Sequence, residues 1–152
     1  MQLLAKTAKI IRYTAGIRIP GIAENHAVVD PSSATKILGS AAATETQMIV
    51  SLPGVKTEGT DIDSLKGQNS FIIWVLKKGN GPTAPEIVEL EEYLHLLELM
   101  DAVLENIREG IRQSHAGGCS KLAGLDIVQI VTTAGYNEFG GWNGWCSTVV
   151  LK

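Results

Sequence analysis

Long apolar runs are missing from this 152-residue chain: the longest is Phe71-Ile-Ile-Trp-Val-Leu76, where a membrane-spanning helix needs roughly 20 residues. No span is expected. The amino end, MQLLAKTAKIIRYTAGIRIPG, also argues against an export signal, because Lys6, Lys9 and Arg12 break every apolar stretch in it. Cysteine is scarce. Cys119 and Cys146 are far apart, with no CxxC pair and no histidine spaced to complete a zinc site. Two free thiols in a reducing compartment are expected in preference to a disulfide. Charge of one sign is lacking too: the net charge is −3 and the pI about 5.6, so no global field draws a polyanion and direct nucleic-acid binding is not expected. Neither a GxGxxG nor a GxxxxGK loop occurs, which leaves phosphate-cradling loops and nucleotide cofactors without support.

What is present is enough apolar material, 45% of the residues, for one buried core and too short a chain for two ordinary domains. Leu3 to Tyr13 carries apolar groups at Leu3, Leu4, Ile10 and Ile11 with Lys6, Lys9 and Arg12 between, which suits a short amphipathic helix. Short β-rich pieces follow at Ala27–Val29 and Gln47–Leu52. The tracts 30–46 and 53–68 are poor in apolar residues and are expected as long surface loops. Asn69 to Lys78 is apolar on both alternating faces and should be a central strand covered on both sides.

Thr83-Ala-Pro85-Glu86 has capping-box spacing, and a helix is expected from about 84 to 114. Leu90, Tyr93, Leu97, Met100, Leu104, Ile107 and Ile111 fall on one side of it and Glu91, Glu98, Glu105 and Glu109 on another, while Gly117-Gly118 ends it. Such a helix exceeds what a small sheet needs for cover, so part of its stripe could face another subunit. Leu125–Thr133 and Trp145–Leu151 read as a closing β-pair. The fold class is α+β: a single domain with a mixed or antiparallel sheet, one long amphipathic helix and a C-terminal β-pair.

Candidate chemistry is thin. Glu92-x-x-His95 has the spacing of a carboxylate-bridged dimetal motif, but no second copy exists and solvated side-chain pairing is the better account. His115 and Cys119 resemble a base beside a thiol without the strand–turn–helix context that would activate it. Asp61 and Asp63 lack the ligand spacing of a calcium loop. No metal, cofactor or catalytic set is therefore assigned. Lys6, Lys9, Arg12 and Arg18 form the densest basic cluster, taken as a solvated helix face.

The remaining candidate is YNEFGGWNGW, in which Tyr136, Phe139, Trp142 and Trp145 recur at every third residue. A Gly140-Gly141 turn would set Phe139 opposite Trp142 and Tyr136 opposite Trp145. An Asn143-Gly144 turn, the stronger local signal, would pair only the two tryptophans. The first uses every ring and is preferred. Rings on a turn could instead stack on a sugar or base, but Glu138 is the only charge nearby, which favours structural pairing or burial at a subunit contact.

The carboxy-terminal half resembles small virion proteins of tailed bacteriophages, the tail-terminator and neck or tail-completion group. The resemblance lies in the order of parts over residues 69–152: a strand, a long helix, then two strands with Asn143-Gly-Trp145 leading into Ser147-Thr-Val-Val-Leu-Lys152. It implies a non-enzymatic α+β subunit that forms a homo-oligomeric ring, of six copies, contacts other virion proteins, and passes from the cytoplasm during assembly into the virion. The alternatives are a small ligand-binding domain using Trp142, Trp145 and Tyr136, and an enzyme of unrecognised type using His95 or His115 with Cys119.

Overall fold

The structure is a computed structural model that describes residues 2–58, 66–79, 90–115 and 122–152. The chain is α+β, and its described residues form three helices and a six-stranded mixed sheet. The amino-terminal helix α1 runs over Gln2–Ala15. It buries Ile10 and Thr14, one turn apart, and the Thr14 hydroxyl returns to the Ile10 carbonyl at 2.8 Å, so this polar group is satisfied inside the interface. Strand β1 (Glu24–Val28) follows.

The tract 30–46, expected as a loop, instead contains helix α2 (Pro31–Gly39). Asp30 caps it by accepting the Ser33 N–H at 2.8 Å, and Pro31 occupies the first helical turn, where a missing N–H costs nothing. Only Ala34 and Leu38 of this helix are fully buried, too few for apolar periodicity to reveal it. The tract 53–68 also differs from expectation. Its ends are strand β3 (Gly54–Glu58) and the start of β4 (Lys66–Lys78), paired as an antiparallel hairpin.

Strand β2 (Gln47–Ser51) and β3 lie in succession along one side of β4. At their junction Pro53 has no N–H to offer, and the Ile72 N–H of β4 is taken up by the Ser51 hydroxyl at 2.8 Å. Helix α3 is described from Leu90 to His115, about 39 Å at 1.5 Å per residue. The expected cap at Thr83 and Glu86 lies outside the described residues, as do Gly117 and Gly118. Strands β5 (Ile127–Glu138) and β6 (Trp142–Leu151) close the chain. The spatial order is β1-β2-β4-β6-β5, with β1 and β2 parallel and the other pairs antiparallel.

Strand β4 is covered on both faces, as its sequence required. Phe71, Ile73 and Val75 join Met48, Val50, Val149 and Leu151 beneath α1 and α3, where Leu96, Met100, Val103 and Ile107 are buried. Leu76 and the partly buried Trp74 look the other way, into a smaller cluster with Val28, Ala34, Leu38, Ile49 and Trp142 that packs α2 on the sheet. Two cores therefore meet across β4 and β6.

Candidate functional site

The aromatic stretch becomes the turn and first half of the β5–β6 hairpin. Gly140 and Gly141 lie in the turn with φ of 84° and 112°, and Phe139 joins them at φ 48°. The Gly141 N–H donates to the Glu138 carbonyl at 3.2 Å, so the connection holds three residues instead of two. That extra residue changes the register. Glu138, not Phe139, stands opposite Trp142, and Ala134, not Tyr136, opposite Trp145. A bulge between the Gly135–Gly144 and Glu138–Trp142 pairs absorbs the mismatch, with Asn137 at φ 54° and its N–H donating to the Asn143 side-chain oxygen at 2.8 Å.

The rings consequently part company. Trp142 is 1% exposed in the α2-side cluster, and Phe139 meets Trp74 edge-on at 5.3 Å. Trp145, three residues along β6, points to the other face. There it meets Tyr93 of α3 edge-on at 6.3 Å and donates its ring N–H to the Tyr93 carbonyl at 2.8 Å. The Tyr93 hydroxyl donates in turn to the Gly135 carbonyl at 2.8 Å, fastening α3 to β5. Burial, then the neighbouring Tyr136 and Glu92, hold the Tyr93 hydroxyl above its ordinary pKa. Tyr136 is 55% exposed and alone of the four presents most of its ring to solvent. Lys78 locks the turn: its ammonium donates to the Gly140 carbonyl at 2.9 Å and sits 5.8 Å from the Trp142 ring centre.

The titratable candidates do not converge. Glu92 pairs with Lys77 of β4 at 3.2 Å, whereas the well-exposed His95 lies 3.9 Å from Glu98 on its own helix, so the Glu92-x-x-His95 spacing is divided between two separate pairs. His95 and Lys77 border an open polar cleft with Gly21, Thr44, Glu45 and Thr46, in which no side chain is positioned as a nucleophile beside a base. Among the described residues no three His, Cys, Asp or Glu side chains gather to hold a metal ion. Cys146 is a free thiol on the α2 side of the sheet. Burial, and secondly the Glu138 carboxylate, push its pKa up and keep it protonated, the opposite of an activated nucleophile. Cys119, Asp61 and Asp63 lie outside the described residues.

Two members of the basic cluster serve structure. The Lys9 ammonium donates to the Ala123 carbonyl at 3.1 Å, and the Arg18 guanidinium donates to the Ala15 and Ile17 carbonyls at 2.9 and 2.8 Å, closing the carboxyl end of α1. By helical spacing alone Tyr93 is expected only as a member of the apolar stripe. Its role as the link between α3, Trp145 and β5 has no signature in the sequence, because the partners are 42 and 52 residues away. No described helix is long and apolar enough to cross a membrane. No protein-family model matches the chain, and no curated protein matches it.

Proposed function

We propose that the chain is a non-enzymatic structural subunit of a tailed-phage virion, of the tail-terminator or neck type, which works by contact with copies of itself and with other virion proteins. What carries the proposal is how the molecule divides its residues. Among the described residues, Trp145, Tyr93, Lys78 and the Lys77–Glu92 pair are engaged in fastening the hairpin and α3 to the sheet. Large apolar side chains are left exposed instead, Val128, Val131 and Tyr136 on the last strand of the sheet and Leu90 and Leu94 on α3. The order of strand, long helix and closing hairpin on which the phage resemblance rests is also the order of β4, α3, β5 and β6.

Light scattering on the purified chain, followed by electron microscopy, tests this. Particles of several copies, rings above all, are the expected result. A monomer at high concentration with no rings or tubes would overturn it.

A further inference from the structure

We infer that the outer edge of β5 pairs with the same edge of a second copy, antiparallel, about a two-fold axis at Thr132. This rests on the proposal that the chain assembles with itself and names one contact between two copies, which closes a pair and is separate from any contact that closes a ring. Strand β5 is last in the strand order, and among the described residues no strand pairs with its outer side. Such an edge is a row of backbone donors and acceptors ready for another chain, and sheets usually blunt it with charge, proline or brevity. The other edge elements follow that habit. β1 and β3 have five residues each, the first with Glu24 and His26, the second with Lys56 and Glu58. Between its two register shifts β5 has Gln129-Ile-Val-Thr-Thr-Ala-Gly135, with no charge and no proline.

The same comparison selects the occupant. Strand β1 or β3 of another copy would bring Glu24 and His26, or Lys56 and Glu58, against a strand that offers no counter-charge. A second β5 brings neutral residues against neutral residues. The bulges also set the register, because regular pairing ends at each of them. The stretch 129–135 meets itself about its central residue, so Val131 of each copy lies opposite Thr133 of the other, Ile130 opposite Ala134, and Thr132 opposite Thr132. Val131 and Thr133 are both exposed and on the α2 side of the sheet, opposite Thr148 and Cys146. Cross-strand β-branched and threonine pairs of this kind stabilise a sheet, and an isologous contact is the commonest way for two copies to meet.

The test is a charge exchange in the full chain. Val131→Lys with Thr133→Lys places lysines directly opposite lysines across the axis, and Val131→Glu with Thr133→Glu does the same with carboxylates. Each double variant should self-associate at least about tenfold more weakly than the unaltered chain in sedimentation, with an unchanged thermal midpoint at concentrations where neither associates. An equal mixture of the two should restore association, and Val55→Lys on β3 should leave it unaltered. Association of either double variant at the original strength, or failure of the mixture to recover it, overturns the pairing. A second reading needs no variant: amide exchange in 129–135 should slow as concentration rises, and concentration-independent exchange there also overturns it. If the unaltered chain still forms rings in either case, only the β5 contact is lost. If it is monomeric throughout, the assembly proposal falls with it.

Discussion

Gly144 stands where no side chain fits, and replacing it by alanine should unsettle the centre of the sheet. It pairs with Leu76 on β4 and with Gly135 on β5, so it lies between two strands in the hydrogen-bonded interior. A methyl group there would overlap the Val75 carbonyl oxygen and would come within 3.0 Å of the Val75 carbonyl carbon and 3.1 Å of the Leu76 Cα. All three are backbone atoms of a strand packed on both faces, so no rotamer change can relieve the contact. Overpacking that only shifts side chains costs about 1–3 kcal/mol. A backbone clash in a central strand should sit at or above the top of that range, about 3 kcal/mol, which lowers the thermal midpoint by roughly 6–12 °C for a domain of this size. Urea unfolding followed by tryptophan fluorescence measures it, since Trp142 and Trp145 flank the site. The matched control is Gly140→Ala: Gly140 also has a positive φ, 84°, but nothing lies within 4 Å of the added methyl, so only left-handed strain of about 1 kcal/mol applies. If Gly144→Ala stays within about 0.5 kcal/mol of the unaltered chain, or costs less than Gly140→Ala, the close-approach account is wrong.

Trp142→Ala should cost about 3–5 kcal/mol, and because Trp142 packs with Ala34 and Leu38, amide exchange should accelerate in α2 well before α3. Gly110→Ala tests the α1–α3 contact. The added methyl would meet the Tyr13 hydroxyl at 2.6 Å and its ring at 2.8 Å, displacing a hydroxyl that donates to the Asn106 carbonyl and side-chain oxygen, both at 2.7 Å. A net loss of about 1–2 kcal/mol in urea unfolding is expected despite the better helix propensity, and the sign should reverse when Tyr13→Ala is also present. Asp30→Asn should flatten the acid limb of the stability curve. Hydrogen bonds from Ser33 lower the Asp30 pKa below its ordinary 3.8, so its contribution is present at neutral pH and is lost as the pH falls through the depressed value. Asparagine keeps the cap without that titration, and urea midpoints across the acid range would show no difference in slope if the reasoning fails.

The elements legible in the sequence were those whose burial is regular along the chain. Phe71 to Leu76 is apolar at every position because two cores meet on it, and Met100, Leu104, Ile107 and Ile111 of the expected α3 stripe are buried, but the buried face also takes in Leu96, Leu99 and Val103 and leaves Leu90 exposed. Helix α2 was hidden for the opposite reason: one cap and two buried residues suffice when a sheet already supplies the other side. The hairpin pairing failed on a different point. Matching all four rings assumed that aromatic pairs set the register, whereas residues three apart on a strand face opposite ways. Trp142 and Trp145 were therefore bound for different cores, and one additional turn residue with a compensating bulge let each reach its own.

The Asn143-Gly144 signal acquires a different meaning from the same geometry. Asn-Gly is a strong hairpin signal because both residues tolerate positive φ, yet here the two are used separately. Asn143 accepts the Asn137 N–H across the bulge, and Gly144 admits the Val75 carbonyl where a side chain would exclude it. The Gly-Trp pair before the last strand is thus a packing device: the glycine draws β6 against β4, and the tryptophan next to it reaches α3 through the Tyr93 carbonyl. Strand β6 joins both cores, and β5 hangs on it along most of its length. The partner strand proposed for β5 would therefore be tied, through β6, to both cores.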